Sequence, residues 1–197
     1  MSTRTLTSAL SRLLLGAACM ISTSCGGELL RTGRAPVYLV VTDVTAGAEG
    51  GDLTSFLLSD IITNGSAFND NVRVGLRVEA KNPSIETTAV NAVSMTRYTI
   101  EFKRADGRNR PGVDVPYGTS GALAGTISPG IAGSVTFELV RHQAKREPPL
   151  ANMVDGGGLR VLSTVAEITL YGRDQNGNEV TVTTQIDVHF ADFGDPA

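Results

Sequence analysis

The sequence predicts an all-β protein, a single antiparallel β-sandwich of about seven to nine strands. Three observations predict it. Apolar residues recur at every second position in segment after segment, the period of a strand with one buried face. Pro, Gly and Asn-Gly signals punctuate those segments. Between Val37 and Arg141 nothing sustains the 3.6-residue period of an amphipathic helix, so no segment supplies the crossover that a parallel sheet needs. A chain of 197 residues, 41% of them hydrophobic, has material for one packed core and would be cramped as a two-domain enzyme.

Taken in order, Val37–Val44 is rich in β-formers and reads as the first strand, and the apolar run Phe56–Ile62 as the second, closed by Asn64-Gly65. From Val72 to Ala80, Val72, Val74, Leu76, Val78 and Ala80 alternate with Arg73, Gly75, Arg77 and Glu79, and Asn82-Pro83 stops the strand. Ser94–Arg104 sets Tyr98, Ile100 and Phe102 on one face and Arg97, Glu101 and Lys103 on the other, ending at Asp106-Gly107. Weaker strands are expected at Gly112–Tyr117 and Ala122–Ile127. Ser134–Arg141 turns Val135, Phe137 and Leu139 inward. His142–Gly158, with Pro148-Pro149 and three consecutive glycines, is expected to be a mobile loop with room for one helical turn.

The last two strands carry their own register. Thr164, Ala166, Ile168 and Leu170 form the apolar set of one, and Val180, Val182, Thr184, Ile186, Val188 and Phe190 that of the other. A two-residue Asn-Gly loop would oppose Ile168 to Gln185 and Leu170 to Thr183, apolar against polar. A three-residue loop, Gln175-Asn176-Gly177, opposes Leu170 to Val182, Ile168 to Thr184 and Ala166 to Ile186, and it puts Gly177 at the left-handed position. Register follows burial, so the three-residue loop is predicted.

Half-buried sheets must cover one another, and the closure expected here is immunoglobulin-like or fibronectin-like. The Cys–Trp–Cys core of antibody domains is absent, since the chain has no Trp and both its cysteines precede the first strand. The strand Val72–Ala80 running into Asn82-Pro83 resembles the extended-strand plus Asn-Pro pattern of the water-stress LEA-14-type β-sandwich domains. That resemblance covers one strand and its turn and implies no function.

The first 27 residues read as an address. They hold no acid; Arg4 and Arg12 are followed by a nine-residue apolar stretch, Leu13–Ile21, which at ~1.5 Å per residue covers about half of a ~30 Å hydrocarbon core. Ser22-Thr23-Ser24-Cys25-Gly26-Gly27 then resembles the lipobox of bacterial lipoproteins, with Ser22 at the position that usually holds an aliphatic residue. The resemblance implies cleavage before Cys25 and acylation of its thiol. Cys19, after Leu15-Gly16-Ala17-Ala18, is the rival acceptor, with only six residues between it and Arg12; simple secretion after cleavage near Ser24 is the other alternative. The expected organisation is a signal peptide over 1–24, a Gly-rich tether over 25–36 and a β-sandwich domain over 37–194. Location in the bacterial envelope follows, lipid-anchored, with Gly26 rather than Asp after the cysteine suggesting the outer membrane by analogy with enteric bacteria.

Chemistry is sparse. With Cys19 and Cys25 both in the address, disulfides, thiol catalysis and zinc–thiolate sites are not expected in the domain. The net charge of −3, without a long basic run, disfavours nucleic acid as a partner. His189 and Asp187 share a strand face as a base and its orienting carboxylate might, but no G-x-S-x-G or S-x-x-K supplies a nucleophile. His142 stands with Arg141, Lys145 and Arg146, read as a solvated basic cluster. Asp174, Asn176 and Asn178 resemble the start of a calcium loop whose later positions, Glu179 and Gln185, do not fit. No cofactor or metal is expected. Two function classes follow: a non-catalytic envelope lipoprotein for binding or structural interaction with membrane or protein partners, and alternatively a hydrolase or carbohydrate-active module using carboxylates such as Asp187, Asp192 and Asp195.

Overall fold

Residues 33–48, 51–156 and 159–193 are described in the computed structural model; Cys19, Cys25 and Asp195 lie outside them. Eight strands run through the described residues: β1 (Val37–Ala48), β2 (Phe56–Asp60), β3 (Asp70–Ala80), β4 (Val93–Lys103), β5 (Thr119–Ile127), β6 (Gly133–Val140), β7 (Leu162–Asp174) and β8 (Glu179–Ala191). They form a three-stranded sheet in the order β1-β3-β6 and a five-stranded sheet in the order β2-β8-β7-β4-β5. The protein is all-β and built as two layers.

Alternation decides which face each strand buries. Val72, Val74, Leu76 and Val78 of β3 are buried while Arg73 and Arg77 are exposed. On β8 the buried set is Val180, Val182, Ile186, Val188 and Phe190, and on β7 it includes Leu162, Thr164, Ala166, Ile168 and Leu170. Between the layers, Tyr98 of β4 stacks on Phe137 of β6 with ring centres 4.3 Å apart. Within the five-stranded sheet Phe102 meets Phe190 edge-on at 5.6 Å. Such aromatic pairs contribute about 0.5–1.5 kcal/mol beyond the area they bury.

The β7–β8 hairpin has the register that burial demands: Leu170 faces Val182, Ile168 faces Thr184 and Ala166 faces Ile186. Its loop spans Gln175–Gly177, closed by hydrogen bonds from the Asp174 amide to the Asn178 carbonyl and from the Gly177 amide to the Asp174 carbonyl, both 3.0 Å. Gly177 has φ of 81°. Gly177→Val is therefore expected to cost about 1–2 kcal/mol, and Gly177→Asn much less, because Asn tolerates the left-handed region. Urea unfolding of both variants checks this; a Gly177→Val midpoint equal to the parent's would remove the turn from the factors that hold the hairpin.

Three expectations need correction. The sandwich is not wholly antiparallel, because β2 pairs parallel with β8, Phe56 beside Asp187 and Asp60 beside Ala191. Thr54 still exchanges hydrogen bonds with Ala46 of β1, at 2.8 and 2.9 Å, so the chain leaves one sheet and joins the edge of the other without reversing at a hairpin. Gly112–Tyr117 is not a strand. Gly112 has φ of 74° and its amide turns back to the Val115 carbonyl, while Pro111 and Pro116 lack the amide hydrogens a ladder uses.

The third correction concerns His142–Gly158. A four-residue helix α1 (His142–Lys145) and a 3₁₀ turn (Leu150–Met153) hold this segment against the body, with Lys145 and Leu150 both buried. Lys145 is therefore no member of a solvated cluster. Its Nζ lies 2.9–3.0 Å from both carboxylate oxygens of Asp70, and the Ser59 hydroxyl donates to the same carboxylate at 2.6 Å. Beside it, Asn69 Oδ1 accepts the backbone amide of His142 at 2.7 Å and lies 3.0 Å from its ring Nδ1.

Candidate functional site

A cleft of about 470 Å³ opens on the outer face of the five-stranded sheet, where β4 carries a bulge. Met95 faces Gly172 and Arg97 faces Tyr171, so Thr96 has no partner of its own on β7. The extra residue reverses the alternation. Val93 and Met95 point inward before the bulge and Tyr98, Ile100 and Phe102 after it, leaving Thr96 and Arg97 both exposed. The Thr96 hydroxyl donates to the Tyr171 carbonyl at 3.1 Å. Gly172 is needed beneath this kink: a Cβ there would stand 2.8 Å from Val93 Cγ1 and 2.9 Å from the Ser94 carbonyl oxygen.

The bulge aims Arg97 across its neighbour. The guanidinium carbon lies 4.0 Å from the centre of the Tyr171 ring, a cation–π contact. Arg173 and Glu179 form the far wall, 3.3 Å apart and both exposed, and Thr181 sits beside Tyr171 on β8. An exposed pair of this kind contributes little to stability, about 0–1 kcal/mol. Two guanidinium groups against one carboxylate make the cleft locally positive on a chain whose net charge is −3.

The rest of this outer face is polar. Thr169 and Thr183 hydroxyls are 3.2 Å apart, and the Lys103 ammonium meets Glu167 at 2.7 Å. That hydrogen bond, with the ammonium's charge behind it, holds the Glu167 carboxyl below the usual carboxylate range.

The residues singled out from the sequence are not gathered into one site. His189 Nδ1 lies 3.0 Å from Ser163 Oγ, its cross-strand partner, and the His189 ring meets the Phe56 ring edge-on at 6.4 Å. Asp187 is exposed on the same face, and no hydrogen bond joins it to His189 among the described residues. Ser163 thus supplies the hydroxyl that motif searching missed, on an open sheet face rather than in a pocket. Asp192 accepts the Asp155 amide at 2.6 Å beyond the end of β8, remote in role from Asp187.

Asp174 is committed to its own turn. One carboxylate oxygen accepts the amides of Asn176 and Asn178 at 2.9 and 2.8 Å, and the other accepts the Asn178 side chain at 2.9 Å. Burial raises its pKa, but these hydrogen bonds outweigh burial and leave it below the ordinary value. Among the described residues no group of three or more His, Cys, Asp or Glu is placed to hold a metal, and no helix is long and apolar enough to cross a membrane. At the Asp70–Lys145–Ser59 cluster burial dominates and pushes the Asp70 carboxyl up, against the pull of the Lys145 charge. With all three side chains sealed from solvent, that cluster is a clamp.

No protein-family model matches this chain, and no curated protein matches it. Among solved structures it is similar to the solution structure of a protein provisionally described as late embryogenesis abundant (LEA), at 13% identity and a TM-score of 0.43, over 94% of this chain and 85% of the other. A likeness that distant transfers no residue role.

Proposed function

We propose that this chain is a non-catalytic binding or structural module, tethered by lipid at Cys25 to the bacterial cell envelope, with its two sheets in an immunoglobulin-like order. The strand order supports the finer fold reading. β1, β3 and β6 correspond to A, B and E of one sheet, and β4, β7 and β8 to C, F and G of the other; β5 lies beside C and β2 beside G.

The tether reading is carried by one observation, the acid-free leader whose nine apolar residues run into Ser22-Thr23-Ser24-Cys25-Gly26. A thiol with several acyl chains anchors firmly, whereas one chain binds only marginally. Losing residues 1–24 removes two arginines and no acid, taking the net charge from −3 to −5, so lipid and not attraction to anionic headgroups would hold the protein. Intact mass of the membrane-extracted protein should give an acylated N-terminus at Cys25, Cys25→Ser should lose that mass, and gradient fractionation should place the parent with outer-membrane markers. An unmodified N-terminus elsewhere overturns the tether; residence solely with inner-membrane markers overturns the outer-membrane assignment.

The binding reading is supported by the open, polar cleft beside the β4 bulge, where the kink and Gly172 hold Arg97 over Tyr171.

A further inference from the structure

We propose that the cleft beside the β4 bulge binds an acidic sugar, with Arg97 taking its carboxylate and Thr96, Thr181 and Glu179 meeting its hydroxyls. This deepens the binding reading above and rests on it. Arg97 differs from its charged neighbours on the same sheet face. Lys103 is paired with Glu167 and Arg173 with Glu179, whereas Arg97 has no carboxylate partner among the described residues. Its guanidinium lies against the Tyr171 ring, so the plane that would otherwise sweep through solvent is steadied and its N–H edge is presented outward. A guanidinium steadied in this way matches the two oxygens of a carboxylate.

The surrounding groups narrow the ligand. Glu179 repels a second negative charge, which favours a singly charged carboxylate over a phosphate. Its carboxylate accepts hydrogen bonds from hydroxyls, and the Thr181 hydroxyl can donate or accept. The Thr96 hydroxyl donates to the Tyr171 carbonyl and keeps its lone pairs for a ligand hydroxyl. A volume of about 470 Å³ lies within the usual range for small-molecule sites, roughly 300–1,000 Å³. The bulge exposes two consecutive β4 residues to this space, an arrangement that a regular strand cannot make.

The test uses the protein isolated from its producing cells, labelled with ¹⁵N-arginine and titrated with sodium glucuronate, glucose, sodium acetate and inorganic phosphate. Glucuronate should move the Arg97 Nε signal saturably and bind at least tenfold more tightly than the other three. Arg97→Gln should weaken glucuronate at least tenfold with the melting temperature unchanged, and Thr181→Val should weaken it severalfold. The second variant serves as the test should Arg97→Gln fail to fold. Glucuronate binding no tighter than acetate, no tighter than phosphate, or insensitive to both substitutions overturns the proposal, as does the lack of saturation. The readouts are separable: an unacylated Cys25 overturns the tether and leaves the cleft standing, while failed glucuronate binding overturns the cleft and leaves the tether.

Discussion

Asp70→Asn is expected to destabilise the protein by about 3–5 kcal/mol, the cost of leaving one member of a buried ion pair uncompensated. Lys145 is 2% exposed and Asp70 fully buried, so no water can replace the missing charge. Lys145→Met should cost a similar amount for the converse reason, leaving Asp70 with the Ser59 hydroxyl alone at 2.6 Å. The double variant should be more stable than either single one, because it removes both charges from the interior and retains volume. Urea denaturation of the three variants measures this directly. Additive losses would mean that the two side chains stabilise the fold separately, and the clamp would have to be discarded.

Phe190→Ala should have an effect of the same size, about 3–5 kcal/mol, by a different route. Phe190 is fully buried, touches Phe102 edge-on and stands in register between Ser59 of β2 and Leu162 of β7. Truncation would leave a void under the join of three strands, and the parallel β2–β8 pair would lose the side chain packed beneath it. Phe190→Leu should cost markedly less, since it fills most of the space. If thermal unfolding shows Phe190→Ala within about 1 kcal/mol of the parent, the core must relax into the void, contrary to close packing at this position.

The strands that alternate cleanly were legible because burial and hydropathy agree along them, as from Val72 to Val78 and from Val180 to Phe190. The hairpin register was legible for the same reason and could have been carried further: counted back from Asp174 opposite Asn178, it sets Ser163 opposite His189. The second strand was harder because hydropathy and burial disagree in it. Phe56 and Leu58 are exposed while Ser59 is buried against Asp70, and five residues do not reveal a parallel partner at the far end of the chain. Lys145 was misread because its neighbours Arg141 and Arg146 are exposed, and nothing local announces a carboxylate distant in sequence. The cleft did leave a trace. Apolar residues fall at 93 and 95 and then at 98, 100 and 102, and that slip of phase is the bulge.

The parallel join of β2 to β8 also sets an order in time. Phe56 and Asp187 stand side by side with almost the whole domain between them, so the edge of the five-stranded sheet is completed only when the final strand has emerged. Until then Leu57 and Ile61, both buried in the finished fold, wait without cover, and a contact of such long range is slow to form. A chain that closes last with its own C-terminal strand stays open while it is being made, the condition a protein must keep if it is to be threaded through a pore before it folds.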